Sequence, residues 1–253
     1  MQLNTLDQQI RMYEELAINS HPALQTQLYD GWQLRFSNGY TGRANSISML
    51  YPSTIDEDEK IAECERRYAE QNLACNFKIT DAIPKKFDQK LEQRGYKIVT
   101  PTHLMIACLE DKSFQTNADC ITTSTPDELW LKNCFDLHDL GESSRKTATA
   151  MFENIKNPAV YCRLTDSTDK SKSIAVASAV VENGYMVLLN VIVDPALRGK
   201  GFGRKLCESV FSESKKIGAK NAYLQVVQDN LPAIKLYENY GFSTLYNYWY
   251  RVK

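Results

Sequence analysis

Val193-Asp-Pro-Ala-Leu-Arg-Gly-Lys-Gly-Phe-Gly-Arg-Lys-Leu206 decides how this chain is read. An apolar run of strand length, Tyr185 to Val193, leads into it, and a helix-patterned segment to Lys216 leads out. A helix start leaves backbone N–H groups unpaired and carries a partial positive charge. Glycines at 199, 201 and 203 remove the β-carbons that would hold a ligand away from those groups. Arg198 and Lys200 add charge. Strand, basic glycine-rich turn and helix together suit a pyrophosphate. Two rival phosphate motifs do not fit, because a P-loop needs Ser or Thr after Gly-Lys, whereas Gly201 follows Lys200. A Rossmann fingerprint needs Gly-x-Gly-x-x-Gly at the start of a βαβ unit, and the spacing here is Gly-x-Gly-x-Gly late in the chain. The plain alternative, a flexible loop of solvated basic residues, leaves the preceding apolar strand and Pro195 without a role.

Working outward, hydrophobic spacing predicts helices over 3–18, 56–72, 85–94, 127–137, 143–155 and 231–240, with another running from the glycine-rich turn to 216. Strands are expected over 32–36, 46–51, 76–80, 97–109, 159–164, 173–181, 185–193 and 222–227, with a Tyr-rich strand at the end of the chain. Residues 111–125 are rich in Ser, Thr, Asn and Asp and read as a linker. The element order repeats. A strand ending in proline (Ser46 to Pro52, Asn190 to Pro195) precedes helix, strand, a second helix closing on Gly-aromatic (Gly95-Tyr96, Gly241-Phe242), and more strand. Where the second half has Arg198, Lys200, Arg204 and Lys205, the first has Asp56-Glu-Asp-Glu59. Acidic residues complement a helix start but repel phosphate, so only the second half is expected to take a phosphorylated ligand.

Composition sets milder bounds. A net charge of −1 over 253 residues argues against bulk electrostatic binding of nucleic acid. No run of 18 apolar residues suggests a membrane span, and the polar start, Met1 to Arg11, lacks the apolar core of a secretory leader. Seven cysteines, none in Cys-x-x-Cys spacing, and three histidines read as reduced thiols in a cytoplasmic protein, with neither a disulfide framework nor a metal site.

Arg198-Gly-Lys-Gly-Phe-Gly203 and, downstream, Asn230-x-x-Ala-x-x-Leu-Tyr237-x-x-x-Gly-Phe242 resemble the two signatures of the GNAT superfamily of acetyl-CoA-dependent N-acetyltransferases. The resemblance covers roughly residues 120–253, and the segments around Trp32, Arg43 and Gln93-Arg-Gly-Tyr96 look like the front half of tandem GNAT-like proteins. It implies an α/β (α+β) fold of two GNAT-like domains, each a mixed, mostly antiparallel sheet flanked by helices. Residues 1–112 would be a degenerate, non-catalytic domain and 118–253 the catalytic one. By the same resemblance Val191, Ile192 and Val193 would present backbone groups to the pantetheine arm of acetyl-CoA. Arg198, Gly199, Lys200, Gly201, Phe202 and Gly203 would hold its pyrophosphate, Asn230 would touch the pantetheine side, and Tyr237 would protonate the departing thiolate. An uncharged phenol suits that last role; packing in the core is the alternative.

One position departs from the pattern. Several relatives that acetylate peptide amino termini carry a Glu base five residues before the motif Asn, where this chain has Gln225. An amide cannot take the amine's proton, so another base or a water relay is needed. Glu142 is the candidate put forward for it, with Asp139, His138 and Glu182 behind it, each with an ordinary surface or capping role as its alternative. The expected activity is transfer of an acetyl group to a primary amine, on a small molecule or a peptide. The alternative is a non-catalytic acyl-CoA sensor or interaction module. Association as a homodimer is compatible with either.

Overall fold

The computed structural model describes residues 5–166, 169 and 172–253. In chain order the elements are α1 Leu6–Ser20, β1 Gln25–Tyr29, β2 Trp32–Phe36, β3 Ile47–Met49, α2 Glu57–Glu70, β4 Asn76–Thr80, α3 Lys85–Gln93 and β5 Lys97–Cys108. There follow β6 Cys120–Thr123, α4 Glu128–Leu137, α5 Glu142–Glu153, β7 Ala159–Thr165, β8 Ser173–Glu182, β9 Tyr185–Val193, α6 Phe202–Lys216, β10 Asn221–Val227, α7 Leu231–Glu238 and β11 Ser243–Val252. Side-chain caps mark several starts: Thr5 accepts from Gln8 N–H, Asp127 from Trp130 N–H, and Asn230 from Ala233 N–H. Two strands escaped the sequence. β1 is mostly exposed and lacks an apolar stripe, and the four-residue β6 lies inside the segment read as linker.

The chain divides into two compact units. The first holds Met1–His103, Ala150–Ile155 and Tyr246–Lys253, and the second Leu104–Thr149 and Lys156–Leu245. β5 therefore passes from the first unit to the second after His103, and β11 returns to the first after Leu245. The tyrosines of the terminal strand, Tyr246, Tyr248 and Tyr250, group with the first unit.

In the second unit the strand order is β5-β10-β9-β8-β7-β6. β6, β7, β8 and β9 pair antiparallel and β9 and β10 pair parallel, and the hairpin between β8 and β9 closes on Asn183-Gly184, both at positive φ, as a tight two-residue turn requires. Leu206, Val210 and Phe211 of α6 pack on Val160, Ala177, Leu188 and Leu224 in one apolar core. On α4, Trp130 is 1% exposed and donates its indole N–H to the carbonyls of Cys162 and Ala177.

In the first unit the order is β1-β2-β3-β4-β11, with β3 and β4 parallel. One sheet face is apolar: Trp32, Leu34, Ile47, Phe77 and Ile79 pack with Ile61, Tyr68, Phe87 and Leu91 of α2 and α3. The other face is polar although buried. Register places Gln33 opposite Ser48, Ser48 opposite Lys78, and Lys78 and Thr80 opposite Tyr250 and Tyr248. Glu14 of α1 meets this face, where its carboxylate accepts from Lys78 Nζ at 2.7 Å on both oxygens and from the Tyr246 hydroxyl at 2.6 Å. The two charged side chains are only 7% and 5% exposed, and burial pushes the Lys78 ammonium below its usual pKa.

Removing one partner of a buried ion pair leaves the other uncompensated. Lys78→Met should therefore cost about 3–5 kcal/mol in denaturant unfolding, while adding Glu14→Gln should recover much of the loss. Additive losses in the double variant would mean the pair is not coupled.

Candidate functional site

The site in the second unit begins where a strand pair stops pairing. β9 and β10 run parallel from Tyr185 opposite Asn221 to Leu188 opposite Leu224, and the register ends there. On the other side of β9, Leu189 pairs with Ser178 and Ile192 with Val176, so that Asn190 and Val191 together face Ala177. This is a β-bulge. Asn190 takes a positive φ of 54° and its amide donates to Ser178 Oγ at 2.9 Å, which pins the bulge. Neither residue stands out in the sequence beyond a polar Asn interrupting the run Leu188-Leu-Asn-Val-Ile192. Past the bulge, Ile192 and Val193 keep their ladder to β8, and Val191, Ile192 and Val193 all lie beyond the ladder to β10 and are half-buried rather than buried. Their edge toward β10 therefore carries no strand ladder.

The chain then turns sharply. Asp194 caps a single 3-10 turn, Pro195–Leu197, by accepting from Ala196 N–H, and Arg198 Nε donates to the Val193 carbonyl at 3.3 Å. Gly199 and Gly201 sit at φ 78° and 82°, with nothing within 4 Å of where a β-carbon would point. They are glycine for conformation and leave open space above them. Gly203 is glycine for fit, since a β-carbon there would lie 3.3 Å from Leu236 of α7 and 3.9 Å from Val193. Gly201 is the N-cap of α6, so no side chain satisfies the first turn, and no acidic residue follows in it. Arg198 and Lys200 are exposed beside this uncapped start, and Lys205 lies 3.5 Å from Asp119. An anion is the complement such a turn lacks.

The matching place in the first unit is filled. Asp56 caps α2 by accepting from Asp58 and Glu59 N–H, and Asp58 pairs with Lys90 and Arg94. Ahead of it, the Asp30 carboxylate accepts from the N–H groups of Thr54 and Ile55 and from the Thr54 hydroxyl, all near 2.9–3.1 Å, with Lys60 Nζ at 3.2 Å. The Ile55 and Thr54 N–H groups hold this carboxyl far below the ordinary range. The protein's own carboxylate thus occupies the loop donors of the first unit. The sequence showed the acidic Asp56 to Glu59 run but not Asp30, which a tight turn with Gly31 brings to the loop from β1.

Tyr237 is 8% exposed on α7, within the core cluster and against Phe242 at a ring separation of 6.1 Å. Burial raises its pKa, so the phenol stays protonated at neutral pH and can serve as a donor. Asn230 is exposed, and its side-chain oxygen is spent on capping α7. Glu142 opens α5 with an 83% exposed side chain, ion-paired to Lys146 at 2.9 Å. That is the ordinary state of an acid in a first helical turn, and nothing about it marks a base. Glu182 accepts from Asn157, His138 is the C-cap of α4, and Asp139 follows at φ 53°. Among the described residues no cluster of three His, Cys, Asp or Glu could hold a metal, and no helix is long and apolar enough to cross a membrane.

A family model described as probable histone acetyltransferase Rv0428c, C-terminal, matches residues 7–251. The chain belongs to this acetyltransferase family and has the GNAT fold. It is similar to the uncharacterized N-acetyltransferase YobR of Bacillus subtilis, 29% identical over 96% of this chain and 98% of that protein. Part of it resembles the ribosomal protein bS18-alanine N-acetyltransferase of Escherichia coli K12, 37% identical over 30% of this chain and 51% of that one. A GCN5-related N-acetyltransferase from Kribbella flavida superposes with a TM-score of 0.65 at 12% identity, covering 96% and 95% of the two chains. A tandem GNAT protein of clavulanic acid biosynthesis gives 0.63 at 11% identity, over 95% and 86%. The chain is thus an N-acetyltransferase by family, and acetyl-CoA is the co-substrate of GNAT acetyltransferases.

An alanine at 201 would have to hold the left-handed conformation. Gly201→Ala should lower stability by about 1 kcal/mol, read as a fall in thermal midpoint. An unchanged midpoint would mean the turn does not need φ 82°.

Proposed function

We propose that the second unit transfers the acetyl group of acetyl-CoA to a primary amine by direct attack of the amine on the thioester. The observation that carries this reading is the β9 edge at Val191–Val193, beyond its ladder to β10, leading through the glycine turn to an α6 start with no side-chain cap. An extended pantetheine arm, with its amides, would complete the strand edge as an added strand does. Residues Arg198 to Gly203 would take the pyrophosphate on backbone N–H groups, with Arg198 and Lys200 supplying charge. Backbone donors beside the Asn190 bulge would polarise the thioester carbonyl, and positioning together with that polarisation would supply most of the rate. Tyr237 would give its proton to the thiolate as the carbon–sulfur bond breaks, leaving coenzyme A as the free thiol, and would be reprotonated by the proton the attacking nitrogen sheds as the amide forms. The amine arrives as an ammonium and must lose a proton first. Gln225 cannot take it and Glu142 is a solvated ion pair, so a water relay is the route these residues favour.

The same two residues favour the second reading, an acyl-CoA sensor without turnover. A thiol-release assay over a broad amine library separates the two: release with any amine shows catalysis, and binding without release shows a sensor. The acceptor is an amine in relatives named for acetylating ribosomal protein bS18 and spermine or spermidine. For this chain the proposal stops at a primary amine.

Calorimetric titration with acetyl-CoA should show binding at micromolar concentration, and its absence would end the proposal. Tyr237→Phe should lower turnover by about a hundredfold with affinity for acetyl-CoA nearly intact. If affinity collapses instead, Tyr237 is a packing residue. Lys200→Ala should weaken binding and flatten its dependence on salt.

A further inference from the structure

The first unit has a cleft of its own. β3 and β4 pair only at Ile47 with Phe77 and Ser48 with Lys78 before their register ends, and beyond that point lies a cavity of about 490 Å3 roofed by α1. This is within the size range of small-molecule sites, ~300–1,000 Å3. Its walls are mixed. Trp32, Met49, Ile83 and Phe87 supply an apolar side, and Ser48, Lys78 and Thr80 bring the buried polar face into it.

Two features say that something polar belongs there. Ser48 is 5% exposed and Thr80 7%, both line the cavity, and neither hydroxyl is hydrogen-bonded to another described residue. The polar face they belong to also carries, outside the cavity lining, Gln33 Oε1, Arg35 Nε and Asn76 Oδ1, buried without a partner among the described residues. Buried polar atoms are normally satisfied, so this face holds more polar groups than the chain itself can pair. At the rim, Asp7 and Arg11 stand one helical turn apart on α1. They make no ion pair with each other or with another described residue, and the Arg11 guanidinium lies 5.5 Å from the centre of the Tyr51 ring, itself part of the lining. A carboxylate and a guanidinium side by side above an aromatic wall complement a ligand that carries an ammonium and a carboxylate on one carbon. Phosphorylated ligands do not fit, because Asp30 already takes the loop N–H groups of Thr54 and Ile55.

We infer that this cleft is a binding site for a free α-amino acid with a large apolar side chain. Asp7 takes the ammonium, Arg11 the carboxylate, and Trp32 and Phe87 flank the side chain, with the Ser48 and Thr80 hydroxyls available to the polar end. The site is separate from acetyl transfer, so either reading can fail without the other.

Calorimetry on the full chain tests it, with L-phenylalanine, N-acetyl-L-phenylalanine and L-phenylalaninamide as probes. L-Phenylalanine should bind, and each derivative, lacking one charge, should bind about tenfold more weakly. Asp7→Asn should weaken L-phenylalanine without affecting the N-acetyl form, and Arg11→Gln should weaken it without affecting the amide. Both positions are exposed, and circular dichroism confirms that the variants are folded. Absence of binding by L-phenylalanine and by the other common amino acids would overturn the inference. Equal binding of the three probes, or of wild type and variants, would overturn it as well. Acetyl-CoA titrated into the same variants should bind as it does to wild type.

Discussion

A parallel strand pair that separates partway leaves backbone N–H and C=O groups that must find partners, and this one requirement governs both halves of the protein. Unpaired backbone groups away from water cost about as much as a lost hydrogen bond. In the second unit the β9–β10 ladder ends at Leu188 and Leu224, one residue before a bulge fixed by Asn190 and Ser178. The bulge turns the strand edge outward, and the glycines after it carry the chain into a helix with no cap. Asp194 takes the Ala196 and Leu197 N–H groups of the intervening turn, while no side chain caps the N–H groups at the α6 start. In the first unit the same split occurs between β3 and β4, but there the loop donors are met by Asp30 and the helix start by Asp56.

The two carboxylates explain how one fold can give two behaviours. A pyrophosphate and a carboxylate compete for the same kind of donor, and an internal carboxylate such as Asp30 has the advantage of being already in place. Charge follows suit: the α6 start has Arg198, Lys200, Arg204 and Lys205 around it, whereas the α2 start has Glu57, Asp58 and Glu59 in its first turn. The remaining cavity of the first unit is then free for a different ligand, and its buried hydroxyls set what kind.

Much of this was legible in the sequence because glycine, proline and charge are local signals. Gly199, Gly201 and Gly203 announced a turn whose backbone a ligand can approach, and Pro195 the end of a strand. The mixed, mostly antiparallel sheet and the acetyltransferase family followed from those signals and the Asn230 to Phe242 helix. What escaped depends on contacts distant in sequence. Asp30 lies more than twenty residues from the N–H groups it fills. The Asn190 bulge exists only against Ser178, and the buried polar face of the first unit appears only when β2, β3, β4 and β11 are laid side by side. β11 shows the limit best: its tyrosines read as part of the second half by position, yet Tyr246 seals the Glu14–Lys78 pair of the first unit. Glu142 shows another limit: an acid near a helix start looks the same in sequence whether it is a base or, as its pairing with Lys146 has it, an ion-paired first-turn residue.

Amide hydrogen exchange, followed by mass spectrometry with and without coenzyme A, tests the contrast between the two loops most directly. The account predicts that coenzyme A slows exchange over Val191–Val193 and Gly199–Gly203 and leaves Thr54–Glu59 unchanged. Protection at Thr54–Glu59, or none at Gly199–Gly203, would contradict it.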